Sequence, residues 1–307
     1  MAEVSGRIAD AELEAWLHEQ PPFSEPDLAR WRANIAERAA RQPREIEMKR
    51  VADLDAAGVP ARLYVPFGAP RALLVYLHGG GWTIGSLDGH DRLCRAMAHG
   101  AGLRILSVGY RLAPEHPWPA ALDDAVAVLR WVATGPRELG RGPARSGVAG
   151  DSAGGAIAAL ACQQLRERDP LALPAVQILL CPNTDLAADT SSMREKAVGF
   201  GLDAELVRWF ARQWVPDPER WTDPRVSPLR ANDLSGLPRA LVVTAEHDPL
   251  RDEGEAYALR LAEAGVTTTL RRDLGLVHNP IMLATVSPAC ADALQRVIAD
   301  VRMLLGG

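Results

Sequence analysis

Residues 150–154 read Gly-Asp-Ser-Ala-Gly, a G-x-S-x-G pentapeptide centred on Ser152. The apolar run SGVAG (146–150) leads into it, and an Ala/Leu-rich helical pattern (153–168) follows. A strand that turns straight into a helix with serine at the apex demands backbone angles and close contacts that side chains obstruct. Glycines two before and two after relieve both. The hydroxyl is then exposed beside the positive end of a helix, placed to attack a carbonyl carbon. A helix N-cap serine with packing glycines on either side is the alternative reading.

Such a hydroxyl needs a base, and imidazole is the usual one. In a strand–turn–helix arrangement of this kind the chain order is serine, acid, histidine. Only His247 and His278 follow Ser152. His247 ends an expected strand directly before Asp248, so no acid has room to precede it. His278 lies in a loop after the last expected strand, TTTLRRDL, and before the final helix. Elimination therefore points to His278 as base, against the alternative of a surface or packed histidine. Asp248 follows the strand ALVVTAE (240–246) and precedes a helix. Its role would be to fix the imidazole tautomer and stabilise the imidazolium. Glu246, within the strand, and Asp252, a turn into the helix, should point elsewhere. A capping role for Asp248 before Pro249 stays open.

A third feature is Leu77-His78-Gly79-Gly80-Gly81-Trp82, at the end of another expected strand. Consecutive glycines allow backbone N–H groups to approach a ligand and hold the oxyanion of a tetrahedral intermediate. The expected donors are Gly80, Gly81 and Ala153, the residue after the nucleophile. A phosphate loop does not fit, since neither G-x-x-x-x-G-K nor G-x-G-x-x-G is in register here. Gly199 and Gly201 match a G-x-G-x-x-A pattern but follow no strand. HPWP (116–119) has no metal-ligand spacing.

The elements that must position these groups alternate. ALLVYL (72–77), LRILSVGY (103–110), SGVAG, VQILLC (176–181) and ALVVTAE are short apolar runs suited to strands buried on both faces of a parallel sheet. Helical patterns at 88–100, 119–133, 153–168, 251–264 and 288–305 lie between or after them. The rhythm predicts a doubly wound α/β sheet with helices on both faces. Residues 45–53 and 59–66 read as an antiparallel strand pair, and 10–18 and 27–41 as helices. The rhythm breaks at 183–232, a Trp- and Pro-rich stretch with helical pattern and no core strand. An insertion there falls near the carboxyl ends of the strands, where ligands bind, and reads as a cap joined by the N-terminal helices. A helical excursion packed on the side of the core is the competing reading. The expected division is 1–44 (N-terminal helices), 45–182 (core), 183–232 (cap) and 233–307 (core).

Bulk properties fit this picture. The chain has 307 residues, 48% of them apolar and 24% charged, enough for a large core and against disorder. A net charge of −5 without a basic run argues against a nucleic-acid partner. Cys94, Cys162, Cys181 and Cys290 are widely spaced, which favours buried free thiols over a metal site or disulfide framework. The acidic start MAEVSGRIADAELEAW has no apolar signal region, and no run approaches the roughly 18 apolar residues of a membrane span. A soluble cytoplasmic protein is expected.

HGGGW (78–82), YRLAPEHPWPAALDD (110–124), GDSAGG (150–155) and DPLRDEG (248–254) together resemble the hormone-sensitive-lipase family of bacterial esterases, from about residue 45 onward. The resemblance implies an α/β-hydrolase fold with a mostly parallel eight-stranded sheet and a helical cap. It implies hydrolysis of carboxylic esters, usually with short acyl chains, without metal or organic cofactor. It assigns Ser152, Asp248 and His278 as triad and Gly80, Gly81 and Ala153 as oxyanion donors. His78 and the Arg111–Asp124 segment become loop supports. A small-molecule ester is the expected partner, and a homodimer is compatible with the family. The sequence departs from the family where His278 is followed by Asn279-Pro280 rather than Gly-Phe. Pro280 removes a backbone donor and biases Asn279 toward extended geometry. Trp82, beside the glycine run, fits a pocket wall. Phe200 and Trp209 are further candidates, although core packing accounts equally well for the helically spaced Trp209, Phe210 and Trp214.

Overall fold

The computed structural model describes residues 7–21, 23–42, 44–140 and 145–306. Two helices, α1 (Ala11–His18) and α2 (Leu28–Arg41), precede a hairpin of β1 (Arg50–Ala56) and β2 (Val59–Val65). Its two-residue turn places Ala57 and Gly58 at φ 60° and 86°, the handedness that matches strand twist. Then follow β3 (Ala72–Leu77), α3 (Asp91–Ala101), β4 (Arg104–Val108), α4 (Ala120–Ala133), β5 (Arg145–Asp151), α5 (Ala153–Arg168) and β6 (Val176–Leu180). After α6 (Ser191–Glu195) and α7 (Ala204–Trp214) come β7 (Arg239–His247), α8 (Arg251–Glu263), β8 (Thr268–Val277) and α9 (Pro288–Leu305).

The strands form one eight-stranded sheet in the order β1-β2-β4-β3-β5-β6-β7-β8. Only the β1–β2 and β2–β4 pairings are antiparallel. This is the doubly wound arrangement expected from the alternating runs. Strand β3 shows why. All six of its residues are buried. Leu73, Val75 and Leu77 enter a core shared with Leu129 of α4 and Ile157 of α5. Leu74 and Tyr76 enter the opposite core with Met97 of α3 and Val297 of α9. Successive side chains point to opposite faces, so a continuous apolar run requires helices on both. No helix among the described residues is long and apolar enough to cross a membrane.

Several boundaries differ from expectation, two of them near the start of the core. The first strand starts at Arg50, not at 45. The alternation at 45–49 has another cause: Met48 packs against the α3–α9 core, and the Ile46 carbonyl accepts from Arg95. Helix α3 begins at Asp91, after a turn.

Between β6 and β7 the chain carries α6, α7 and short 3₁₀ turns but no strand. This stretch meets the N-terminal helices. Asp203 accepts from the Phe23 backbone N–H at 3.0 Å, and Trp31 stacks on Phe210 with centroids 5.6 Å apart. Arg32 of α2 donates to the carbonyls of Thr83 and Ala113 and pairs with Glu115.

Candidate active site

Ser152 stands between β5 and α5 at φ 53°, ψ −119°. Strain of that kind costs on the order of 1–3 kcal/mol and persists only where the surroundings impose it. Here its N–H donates to Leu180 O at 2.8 Å, and its carbonyl accepts from Ala156 N at 3.1 Å. The flanking glycines supply space, not unusual angles. A Cβ on Gly154 would lie 2.0 Å from Leu77 O, and one on Gly150 would lie 2.3 Å from the Gly154 backbone. The positive φ belongs to the serine itself. Ser152 occupies the N-cap position, yet its side chain makes no capping hydrogen bond. That separates it from the simple N-cap reading and leaves the hydroxyl uncommitted to its own helix.

Asp248 is fully buried just beyond β7. One carboxylate oxygen, Oδ1, accepts from Leu250 N at 2.8 Å; the other, Oδ2, lies 2.8 Å from His278 Nδ1. The same carboxylate therefore shapes the turn into α8 and holds the imidazole. The rival groups are engaged elsewhere. Glu246 accepts from Gly275 N, and Asp252 accepts from Ser192 N. His247 is buried against Phe200, with its Nε2 toward Arg7 O. The donor atoms of Cys181, Asp248 and His278 lie within 4.8 Å of one another, the one grouping among the described residues that could hold a metal ion, but Asp248 and His278 are already bonded to each other. All four cysteines are free and buried.

A cavity of about 190 Å³ is lined by Ser152, Ala153, Gly80, Gly81 and His278. Trp31, Trp82 and Phe210 are among its remaining walls. Trp82 is backed by Trp214 in a parallel stack with centroids 4.2 Å apart. Phe200 and Trp209 are not among its walls. Phe200 packs with Leu13, Cys181 and Leu276 and carries Lys196 over its ring. Trp209 turns toward Trp31 and Glu25. On α7 adjacent residues point about 100° apart, so Phe210, with Leu206 and Val207, faces the cavity instead. Trp31 carries no local signal of a wall position, because nothing in the sequence around it couples α2 to α7.

Beneath the glycine run lies a buried polar cluster. Asp151, fully buried, accepts from Tyr76 Oη at 2.6 Å and from Gly79 N at 3.0 Å through Oδ1, and from Asn279 Nδ2 at 2.5 Å through Oδ2. Burial alone would push this carboxyl up; the His90 imidazole 3.6 Å away, with hydrogen bonds from Tyr76 and Asn279, outweighs that and holds it at about 2. His78 stacks on Tyr110 with centroids 4.2 Å apart, and its Nδ1 faces Gly79 O. Burial, reinforced by His90, lowers its pKa to about 4, so it is neutral at pH 7. Arg111 grips Asp124 through two nitrogens and fixes the loop after β4. Asn279 is not extended. Its φ of 55° and ψ of 52° are left-handed. Asparagine tolerates that region, and the bond to Asp151 outweighs the bias that a following proline imposes.

A family model described as the α/β-hydrolase fold matches residues 74–282. The carboxylic ester hydrolase LipN of Mycobacterium tuberculosis is 43% identical over 262 residues, 82% of this chain and 70% of that protein. The ethyl acetate hydrolase of Pseudomonas putida is 38% identical over 248 residues, 80% of this chain and 78% of that protein. Among solved structures, an ester hydrolase from the metagenome of Lake Arreo, complexed with a bipyridine phosphonate derivative, superposes with a TM-score of 0.89 at 36% identity, over 97% of this chain and 99% of that one. With its sheet order, its serine turn and these relatives in agreement, the chain belongs to the α/β-hydrolase family, within the group that resembles hormone-sensitive lipase.

Proposed function

We propose that the protein is a carboxylesterase in which Ser152, His278 and Asp248 work as a triad on small esters with short acyl chains. The observation that carries the reading is the 2.8 Å bond from Asp248 to His278 Nδ1, at the edge of a cavity that Ser152 also lines. A buried carboxylate accepts, so Nδ1 carries the proton and Nε2 is left as the base. The Ser152 hydroxyl attacks the ester carbon while Nε2 takes its proton. The N–H groups of Gly80, Gly81 and Ala153 hold the resulting oxyanion. As the tetrahedral species collapses, the C–O bond to the alcohol breaks, and the imidazolium gives its proton to the departing oxygen. Water then enters by the same route, and the acyl-enzyme releases the acid.

The cavity's size supports the short-chain preference, and its aromatic walls favour an apolar acyl or alcohol group. Residues 183–232 together with α1 and α2 act as the cap, a role supported by Trp31 and Phe210 meeting at the cavity wall. The test is twofold. A fluorophosphonate probe should label Ser152, as read by peptide mapping. The wild type should also release a burst of p-nitrophenol from p-nitrophenyl butyrate, and Ser152→Ala should not. Unlabelled Ser152, or an active Ser152→Ala protein, would refute the reading. Rates that rise beyond decanoyl esters would refute the short-chain preference.

A further inference from the structure

We propose that Asn279 is a positioning residue for His278, acting through Asp151; the inference rests on the triad reading above. Asp248 fixes the imidazole at one atom, Nδ1. That bond sets the tautomer, and the sheet pairing of Val277 with His247 fixes the chain just before the imidazole, but neither contact ties His278 to the segment bearing Ser152. The next residue supplies a second anchor. Asn279 Nδ2 donates to Asp151 Oδ2 at 2.5 Å, and Asp151 directly precedes the serine. The circuit Ser152–Asp151–Asn279–His278 thus contains two peptide bonds and one hydrogen bond.

Three features make this link more than a surface contact. The acceptor is fully buried and is held by Tyr76 and Gly79 on its other oxygen, so one carboxylate ties the end of β3, the glycine run and the histidine loop together. The donor is locked in a left-handed conformation, and Pro280 after it is buried at the start of a 3₁₀ turn. The amide cannot be reversed. Its Oδ1 is buried without a partner among the described residues, and exchanging it with Nδ2 would set an oxygen against a carboxylate. A hydrogen bond to a buried charge is among the stronger kinds. The departure from Gly-Phe at 279–280 then has a physical meaning: here the histidine loop is fastened by a side chain.

Asn279→Gly keeps the left-handed backbone and removes only the amide. Its kcat on p-nitrophenyl butyrate, counted per serine titrated by the fluorophosphonate, should fall about tenfold with KM within about twofold of wild type. Asn279→Asp, which opposes two carboxyls, should lose about a hundredfold or more. Asp151→Asn combined with Asn279→Asp restores the hydrogen bond with its polarity reversed, since the asparagine oxygen still accepts from Tyr76 and Gly79. That double variant should exceed either single variant in kcat per titrated serine. Counting per titrated serine separates misfolding from misalignment. The inference is overturned if Asn279→Gly keeps kcat within twofold, or if the losses at 151 and 279 simply multiply. Either result with Ser152 normally labelled in the wild type overturns this link alone. A wild type unlabelled at Ser152 overturns the triad instead.

Discussion

Replacing Gly81 with alanine tests whether the glycine run does its work through backbone placement. Gly81 sits at φ 58°, where a Cβ costs roughly 1–2 kcal/mol. The larger effect is steric. The new Cβ would lie 2.1 Å, 2.2 Å and 2.4 Å from Cγ, Cδ1 and Cδ2 of Phe210. Carbon atoms rest about 3.5–4.0 Å apart, so something must move by more than about 1 Å. The Phe210 ring is stacked on Trp31, and the contact is at the root of the ring, where a rotamer change gives little relief. The glycine run therefore yields, and the Gly81 N–H leaves the position proposed for it as an oxyanion donor. Loss of one such donor costs about 10²–10³ in kcat, or roughly 3–4 kcal/mol of barrier. Steady-state hydrolysis of p-nitrophenyl butyrate, normalised to titrated Ser152, should show a drop of about a hundredfold. Gly81→Ala with Phe210→Ala removes the obstacle and should recover at least about tenfold, with Phe210→Ala alone as the control for the altered wall. A single variant within threefold of wild type, or a double variant no faster than the single, would refute the reasoning.

Two further outcomes follow from the same geometry. Asp248→Asn should leave the fold intact and reduce kcat by about 10⁴, because the amide allows the wrong imidazole tautomer; a loss below about tenfold in stopped-flow or steady-state assays would contradict the role given to Asp248. His78 has a folded pKa of about 4 against an ordinary 6.5, so the unfolded chain binds the extra proton first as pH falls. Stability should decline through the window from 6.5 to 4 by about 3 kcal/mol from this residue, and be unaffected by it above 7. Urea unfolding of wild type and His78→Gln across that range should show the variant with a weaker acid dependence; parallel curves would disprove the assignment.

Local chemistry made parts of this molecule readable from the chain. The runs around β3, β5, β6 and β7 are mostly apolar and mostly buried because helices cover both faces, and that pattern specifies the sheet. The order Ser152, Asp248, His278 left few choices, and the structure sets Asp248 against His278. Contacts between distant segments were not readable. Trp209 and Phe210 are neighbours in sequence, and only the placement of α7 against α2 decides that the second faces the cavity and the first faces Glu25. Met48 mimics strand alternation while packing against helices. Asn279 shows two local rules in conflict, pre-proline extension against asparagine's tolerance of the left-handed region, decided by a partner 128 positions away.

The stack of Trp31 on Phe210 gives this architecture a way to diversify. Each ring comes from a segment outside the sheet, one ahead of the first strand and the other spliced between β6 and β7. Drift in either segment can resize the chamber while the strand ends beneath keep their alignment. Variation in what is admitted is thereby uncoupled from the groups that would transform it, and new guests can be explored by editing the segments that carry Trp31 and Phe210.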